Sequence, residues 1–156
     1  MIHAKLLIAT AMVAAVVTTA CSDTTAPKDG APEGASFARS GRFHAEKECS
    51  KYTAKAGDIC TITVSTLKEI EPGSTVTYAS AAVGPLVDSD VVLDLPGPGN
   101  NAAFGHCKVN LVTIVGGCVF SGGTGKFQWF HAEVGLSFVG GAVFAWDGTY
   151  SFSPHD

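Results

Sequence analysis

Residues 118–138, CVFSGGTGKFQWFHAEVGLSF, decide how the rest of the chain is read. A glycine turn, Gly122-Gly123-Thr124-Gly125, sits between two segments in which aromatic and small side chains alternate. Alternation of period two marks a strand, and glycine takes the positive dihedrals of a tight reversal at little cost. The pattern predicts a short strand over residues 118–120 and a long one over residues 126–138. On the long strand Phe127, Trp129, His131 and Glu133 share one face, and Phe130, Ala132, Val134, Leu136 and Phe138 share the other. A strand apolar on both sides is expected to be packed on both, with a core on one side and a covered or interfacial surface on the other.

Working outward, the same period runs from about residue 35 to residue 152. Residues 36–49 alternate loosely, with Phe37, Gly41, Phe43 and Ala45 on one face and Ser40, Arg42, His44 and Glu46 on the other. Residues 60–66 alternate cleanly, and breakers at Pro72-Gly73 and Gly84-Pro85 bracket a Thr- and Val-rich strand over residues 75–82. In residues 86–95, Val87, Val91, Leu93 and Leu95 oppose Asp88, Asp90 and Asp94. Those carboxylates lack the glycine and spacing of a calcium loop and read as a solvated face that discourages edge pairing. After the loop LPGPGNN, residues 103–115 form a strand turned back by Gly116-Gly117, and residues 142–152 form the last strand. Six to eight antiparallel strands in meander order close as a barrel or stack as a sandwich.

The 156 residues, 46% hydrophobic with 18 glycines and only 15% charged, suit a single all-β domain. A net charge of -4 supplies no basic field, which argues against a nucleic-acid partner. Residues 1–20 carry a lone Lys5, an apolar run over residues 6–17 and small residues before Cys21, the layout of a secretory signal peptide. The apolar run is shorter than the roughly 20 residues of a membrane span. The segment resembles a bacterial lipoprotein signal with Cys21 as the lipidated residue, a membrane anchor; simple cleavage after Ala20, giving a secreted or periplasmic protein, is the alternative. Residues 21–34 read as a flexible tether and residues 35–156 as the folded domain.

Four cysteines remain, Cys49, Cys60, Cys107 and Cys118, in two pairs of equal spacing. In an exported chain this is a disulfide pattern. Of the three possible pairings, Cys49–Cys60 with Cys107–Cys118 is favoured, because each interval contains a turn signal. No pair has the close spacing of a structural zinc site.

Three motifs carry a family resemblance: Gly105-His106-Cys107, residues 120–138, and WDGTYSF over residues 146–152. They resemble the allene oxide cyclase-like and dirigent-like β-barrels, in which a GGTG-(Lys/Arg)-Phe turn precedes a long strand and a closing strand ends in Gly-Thr-Tyr. The resemblance implies an eight-stranded barrel of calycin type with an apolar lumen, used by some members to cyclise or couple hydrophobic substrates. It covers about the last third of the chain, and its matched positions, Gly122, Gly123, Gly125, Phe127, Gly148, Thr149 and Tyr150, are turn and packing residues.

His131 and Glu133 are the first candidates for acid–base chemistry, with His106 and Asp147 as possible helpers. The bland reading is that they mark where a strand meets water. Phe120, Phe127, Trp129, Phe144, Trp146 and Tyr150 are candidates to line a ligand pocket, or equally to fill a core. His44, His106 and His131 define no metal geometry, the glycine turn lacks the ending of a phosphate loop, and no cofactor motif is present. The expected role is non-catalytic: binding a small apolar ligand or an envelope partner. The alternatives are a cyclase or isomerase acting in the lumen, and a structural envelope protein or homo-oligomer that covers the second apolar face of residues 127–138.

Overall fold

Alternation along eight segments produces eight strands in the computed structural model, which describes residues 39–153. The expected signal peptide, the tether and Cys21 lie outside the described residues. The strands are β1 (Arg39–Glu48), β2 (Ile59–Ser65), β3 (Thr75–Tyr78), β4 (Leu86–Asp94), β5 (Ala102–Asn110), β6 (Val115–Gly123), β7 (Phe130–Gly140) and β8 (Val143–Phe152). Each pairs antiparallel with the next and β8 closes on β1, so the sheet is a closed barrel in meander order. Closure leaves no strand edge unpaired, which an open sandwich cannot achieve. In β4 the cause is plain: Val87, Ser89, Val91 and Leu93 point into the lumen, and Asp88, Asp90 and Asp94 into water.

Both disulfides have the expected local pairing, Cys49–Cys60 and Cys107–Cys118. Cys107 and Cys118 lie opposite each other on β5 and β6. Cys49, just past β1, reaches Cys60 on β2.

The glycine-rich stretch departs from its reading in two ways. First, β6 begins at Val115, so Gly116 and Gly117 lie within a strand and the reversal is made by residues 111–114. The Asn110 side chain fixes that turn, its Oδ1 accepting the N–H groups of Val112 (2.9 Å) and Thr113 (3.1 Å). Second, β7 begins at Phe130, because Gly125–Phe127 winds into one 3-10 turn that rolls the Phe127 ring into the core. Phe127 and Trp129 therefore share no strand face with His131 and Glu133. The outer face of β7 carries His131, Glu133, Gly135 and Ser137, and the inner face Phe130, Ala132, Val134 and Leu136. The expected two-sided apolarity is absent.

The two ends of the barrel differ. At one end Phe127, Phe130 and Phe152 pack ring on ring, with centroids 5.2 Å apart for the first pair and 5.1 Å for the Phe130–Phe152 pair. Each such pair adds about 1 kcal/mol beyond burial of its area. Leu67 and Ile70, from the β2–β3 connection, are buried in the same core. Arg39 lies over the Phe152 ring at 4.1 Å and binds Glu69 at 2.6 Å. Further along, Phe120 and Trp146 meet edge to face at 5.5 Å. Past Trp146 the filling stops.

Candidate functional site

The inward alternation of β1, Phe43 then Ala45, continues to Lys47. A lysine there is forced into the lumen by the strand period, and only 3% of it remains exposed. The β1–β2 register shifts between Glu46 and Lys47, a bulge at the point where the amine enters the interior.

Nζ of Lys47 donates to the Tyr78 hydroxyl at 2.6 Å and lies 4.1 Å from the centre of the Trp146 ring. Burial lowers its pKa from 10.5 to about 7, because a charged ammonium loses hydration that nothing in the lumen restores. Burial likewise raises the Tyr78 pKa, with a smaller push from Tyr52. At neutral pH an uncharged amine is thus well populated beside an uncharged phenol. When protonated, the ammonium faces the Trp146 ring, a weak substitute for a carboxylate.

Lys47 and Tyr78 border a cavity of about 220 Å³. Val87, Val109, Leu111, Leu136 and Phe144 make its apolar wall, and the Cys49–Cys60 disulfide and Tyr52 complete it. Among the described residues no Asp or Glu lines it. The rings of Tyr52 and Tyr78 meet edge to face at 5.1 Å. The Tyr52 hydroxyl and the Trp146 indole N–H are buried without a hydrogen-bond partner among the described residues. Of the two only Tyr52 lines the cavity, and an unsatisfied hydroxyl beside an apolar void is what an orienting ligand contact would satisfy.

This end of the barrel is also greasy outside. Val83, Leu86, Val112, Val115, Phe138 and Val139 are exposed on its connections and strand ends. The opposite end presents Lys68, Glu71 and Lys126 to solvent, with Lys126 bound to Glu71 at 3.3 Å. Six of the eleven exposed large apolar side chains among the described residues lie at this end; Val64, Val92, Phe104 and Val119 are on the outer wall of the barrel and Trp129 is at the opposite end.

The residues singled out in the sequence fall elsewhere. His131 is half-buried and Glu133 exposed, both on the outer face of β7 beside a shallow surface depression. Asp147 is on the outer face of β8, where its Oδ1 is 2.7 Å from Nδ1 of His44. His106 is on the outer face of β5, bracketed by Asp90 Oδ1 (2.8 Å, at Nδ1) and Asp88 Oδ1 (2.7 Å, at Nε2). None of the four borders the lumen cavity. Among the described residues no group of three or more His, Cys, Asp or Glu is placed to hold a metal ion.

Of the aromatic candidates, Phe144 lines the cavity and Trp146 contacts the Lys47 amine. Phe120 and Phe127 are packed into the core, Tyr150 is half-buried, and Trp129 is 36% exposed. Lys47, Tyr52 and Tyr78 were missed. The available signal was a lysine in phase with Phe43 and Ala45, one step further along the apolar face.

Comparison of the chain with models of protein families, with curated proteins and with solved structures returns no match.

Proposed function

We propose that this is an exported, lipid-anchored barrel that binds a small apolar molecule carrying one polar group, held in the lumen above Lys47. The cavity carries the reading: an apolar hole whose lining, among the described residues, includes an amine and two phenols but no carboxylate. An engineered apolar cavity of about 150 Å³ takes up benzene, so the size of this one favours a single ring or a short chain. The exposed apolar side chains at the same end supply an approach for such a molecule, and the two disulfides are compatible with an oxidising compartment. The anchor rests on Cys21 and the sequence before it. Resemblance to the allene oxide cyclase-like and dirigent-like barrels points the same way, toward a hydrophobic guest in the lumen, and the eight-stranded closed sheet supports it. A cyclase acting there would have to draw its acid or base from Lys47, Tyr52 or Tyr78, since His131, Glu133, His106 and Asp147 lie outside.

The test is ligand-observed NMR with benzyl alcohol on the full chain and on Val109→Phe, which fills the cavity. Binding to the wild type that disappears in the variant, with the thermal midpoint kept, is the expected outcome. Absence of binding, or equal binding to both proteins, overturns the proposal.

A further inference from the structure

We propose that Lys47 captures small apolar aldehydes that reach the lumen, holding them as a reversible Schiff base with the Tyr78 hydroxyl as proton relay. The proposal deepens the lumen-binding reading and rests on it.

Three observations converge. The amine is at the border of a cavity sized for one ring or a short chain, so a bound carbonyl carbon comes within reach of Nζ. The surroundings favour the uncharged amine, the only form that attacks a carbonyl: among the described residues no carboxylate lines the cavity, and its other titratable groups are the phenols of Tyr52 and Tyr78. The Tyr78 oxygen, 2.6 Å from Nζ, is placed to pass a proton between the nitrogen and the departing oxygen. A carboxylate guest would instead need the charged amine, and would bury an ion pair in an apolar lumen with no second cation to support it.

The chemistry balances without any redox partner. The Nζ lone pair forms a bond to the carbonyl carbon while the carbonyl π electrons move to oxygen, which takes up a proton. The nitrogen sheds one of its protons through the Tyr78 hydroxyl. The carbon–oxygen bond of this carbinolamine then breaks as the nitrogen gives up its second proton, again by way of the Tyr78 hydroxyl, so that the oxygen leaves as water and a carbon–nitrogen double bond remains. Water returning to the lumen reverses the sequence and releases the aldehyde.

Exposed lysines such as Lys51, Lys55 and Lys68 provide internal controls, since they lie outside the lumen and face water. The experiment treats the full chain at pH 7 with benzaldehyde or hexanal and sodium cyanoborohydride, which fixes an imine as a secondary amine. Peptide mapping by mass spectrometry then locates the adduct. Labelling at Lys47 should exceed that at each exposed lysine about tenfold or more. Lys47→Met should lose this adduct while keeping its near-ultraviolet circular dichroism. Tyr78→Phe should keep the adduct but slow its formation and change its pH profile, which a purely structural hydroxyl would not do.

Adducts spread evenly over exposed lysines with Lys47 untouched, or an adduct rate and pH profile unchanged in Tyr78→Phe, overturn the proposal. So does tight binding of benzoate with proton uptake in the absence of an aldehyde adduct. Benzyl alcohol, which has no carbonyl, separates the two failures. If it binds and benzaldehyde leaves Lys47 unmodified, the covalent step falls and lumen binding stands; if neither engages the lumen, both fall.

Discussion

Nζ of Lys47 on β1 reaches past β2 to the hydroxyl of Tyr78 on β3, 2.6 Å away, and this contact joins two side chains that the sequence separates by 31 residues. It is a polar pair inside a largely apolar lumen, and its energetics depend on pH. The folded-state pKa of Lys47, about 7, lies below the reference value of 10.5 that the unfolded chain approaches. Between those values the unfolded chain binds more protons, so this residue makes stability rise with pH. Below about 7 both states are protonated and the destabilisation is at its full size. At 1.36 kcal/mol per pKa unit, that size is on the order of 5 kcal/mol. Lys47→Met should therefore be more stable than the wild type at pH 7, with an advantage that shrinks by roughly 2 to 3 kcal/mol between about pH 7.5 and 9.5. Urea titrations of both proteins across that range measure it, and an advantage independent of pH would contradict the buried-amine account.

The two disulfides should differ in accessibility. Cys107 and Cys118 are 0% and 2% exposed, whereas Cys49 is half-buried at the cavity. Mild reduction of the native protein followed by alkylation should modify Cys49 and Cys60 first, as read by mass spectrometry. Replacing either pair with serines should cost about 3 kcal/mol through the loop that each closes. Equal rates of alkylation at both pairs would show that opening of the whole barrel controls access.

Gly148 allows the backbones of neighbouring strands to approach. It lies on β8 between Phe43 of β1 and Val134 of β7, and a Cβ there would run into the Glu133 carbonyl oxygen and come 2.8 Å from the Val134 Cα. Gly148→Ala should destabilise the barrel by roughly 3 kcal/mol, because the obstruction is backbone and cannot rotate away. Gly135→Ala is the control, since its nearest obstacle is the Asp147 carbonyl oxygen at 3.8 Å, and it should change stability by less than about 0.5 kcal/mol. Chemical denaturation of the two variants compares them directly.

His106 should hold its proton above the usual histidine range. Asp90 is the largest cause and Asp88 acts in the same sense, each accepting from one ring nitrogen, an arrangement that only the doubly protonated ring satisfies. Asp90→Asn should return the pKa toward 6.5, as followed by NMR titration of the ring protons. The raised folded pKa adds stability below the unfolded pKa and loses it as pH rises through the folded value. The effect on stability should be slight, because water screens an exposed group. An unchanged titration in the variant would mean that Asp90 does not hold the ring.

The parts of the fold legible in the sequence were those governed by strand period. Alternation along residues 86–95 marked both the core face and the solvent face of β4, and equal spacing marked the two disulfides. What escaped was decided by side chains acting on local backbone. Leu111-Val112-Thr113-Ile114 has strand composition but is bent into a turn by the Asn110 carboxamide. Phe127 has strand composition but is taken inward by a 3-10 turn, and counting faces from it put His131 and Glu133 in the wrong phase with the core. Lys47 escaped for a different reason. In Glu46-Lys47-Glu48 it looks like the solvated end of a strand, and only barrel closure turns its position into an interior one.

The aromatic packing of Phe127, Phe130 and Phe152 gives the lumen a blind end. A tube open at both ends allows a newcomer to push the occupant out ahead of it. A tube with one doorway does not: the occupant must back out before anything else can go in. Exchange in such a lumen is first order in the departing molecule, and no excess of competitor can hasten it. Were a guest bound there as proposed, its residence time would be set at the doorway beside Phe144, which lines the cavity and whose ring meets that of Phe138 edge to face with centroids 5.6 Å apart.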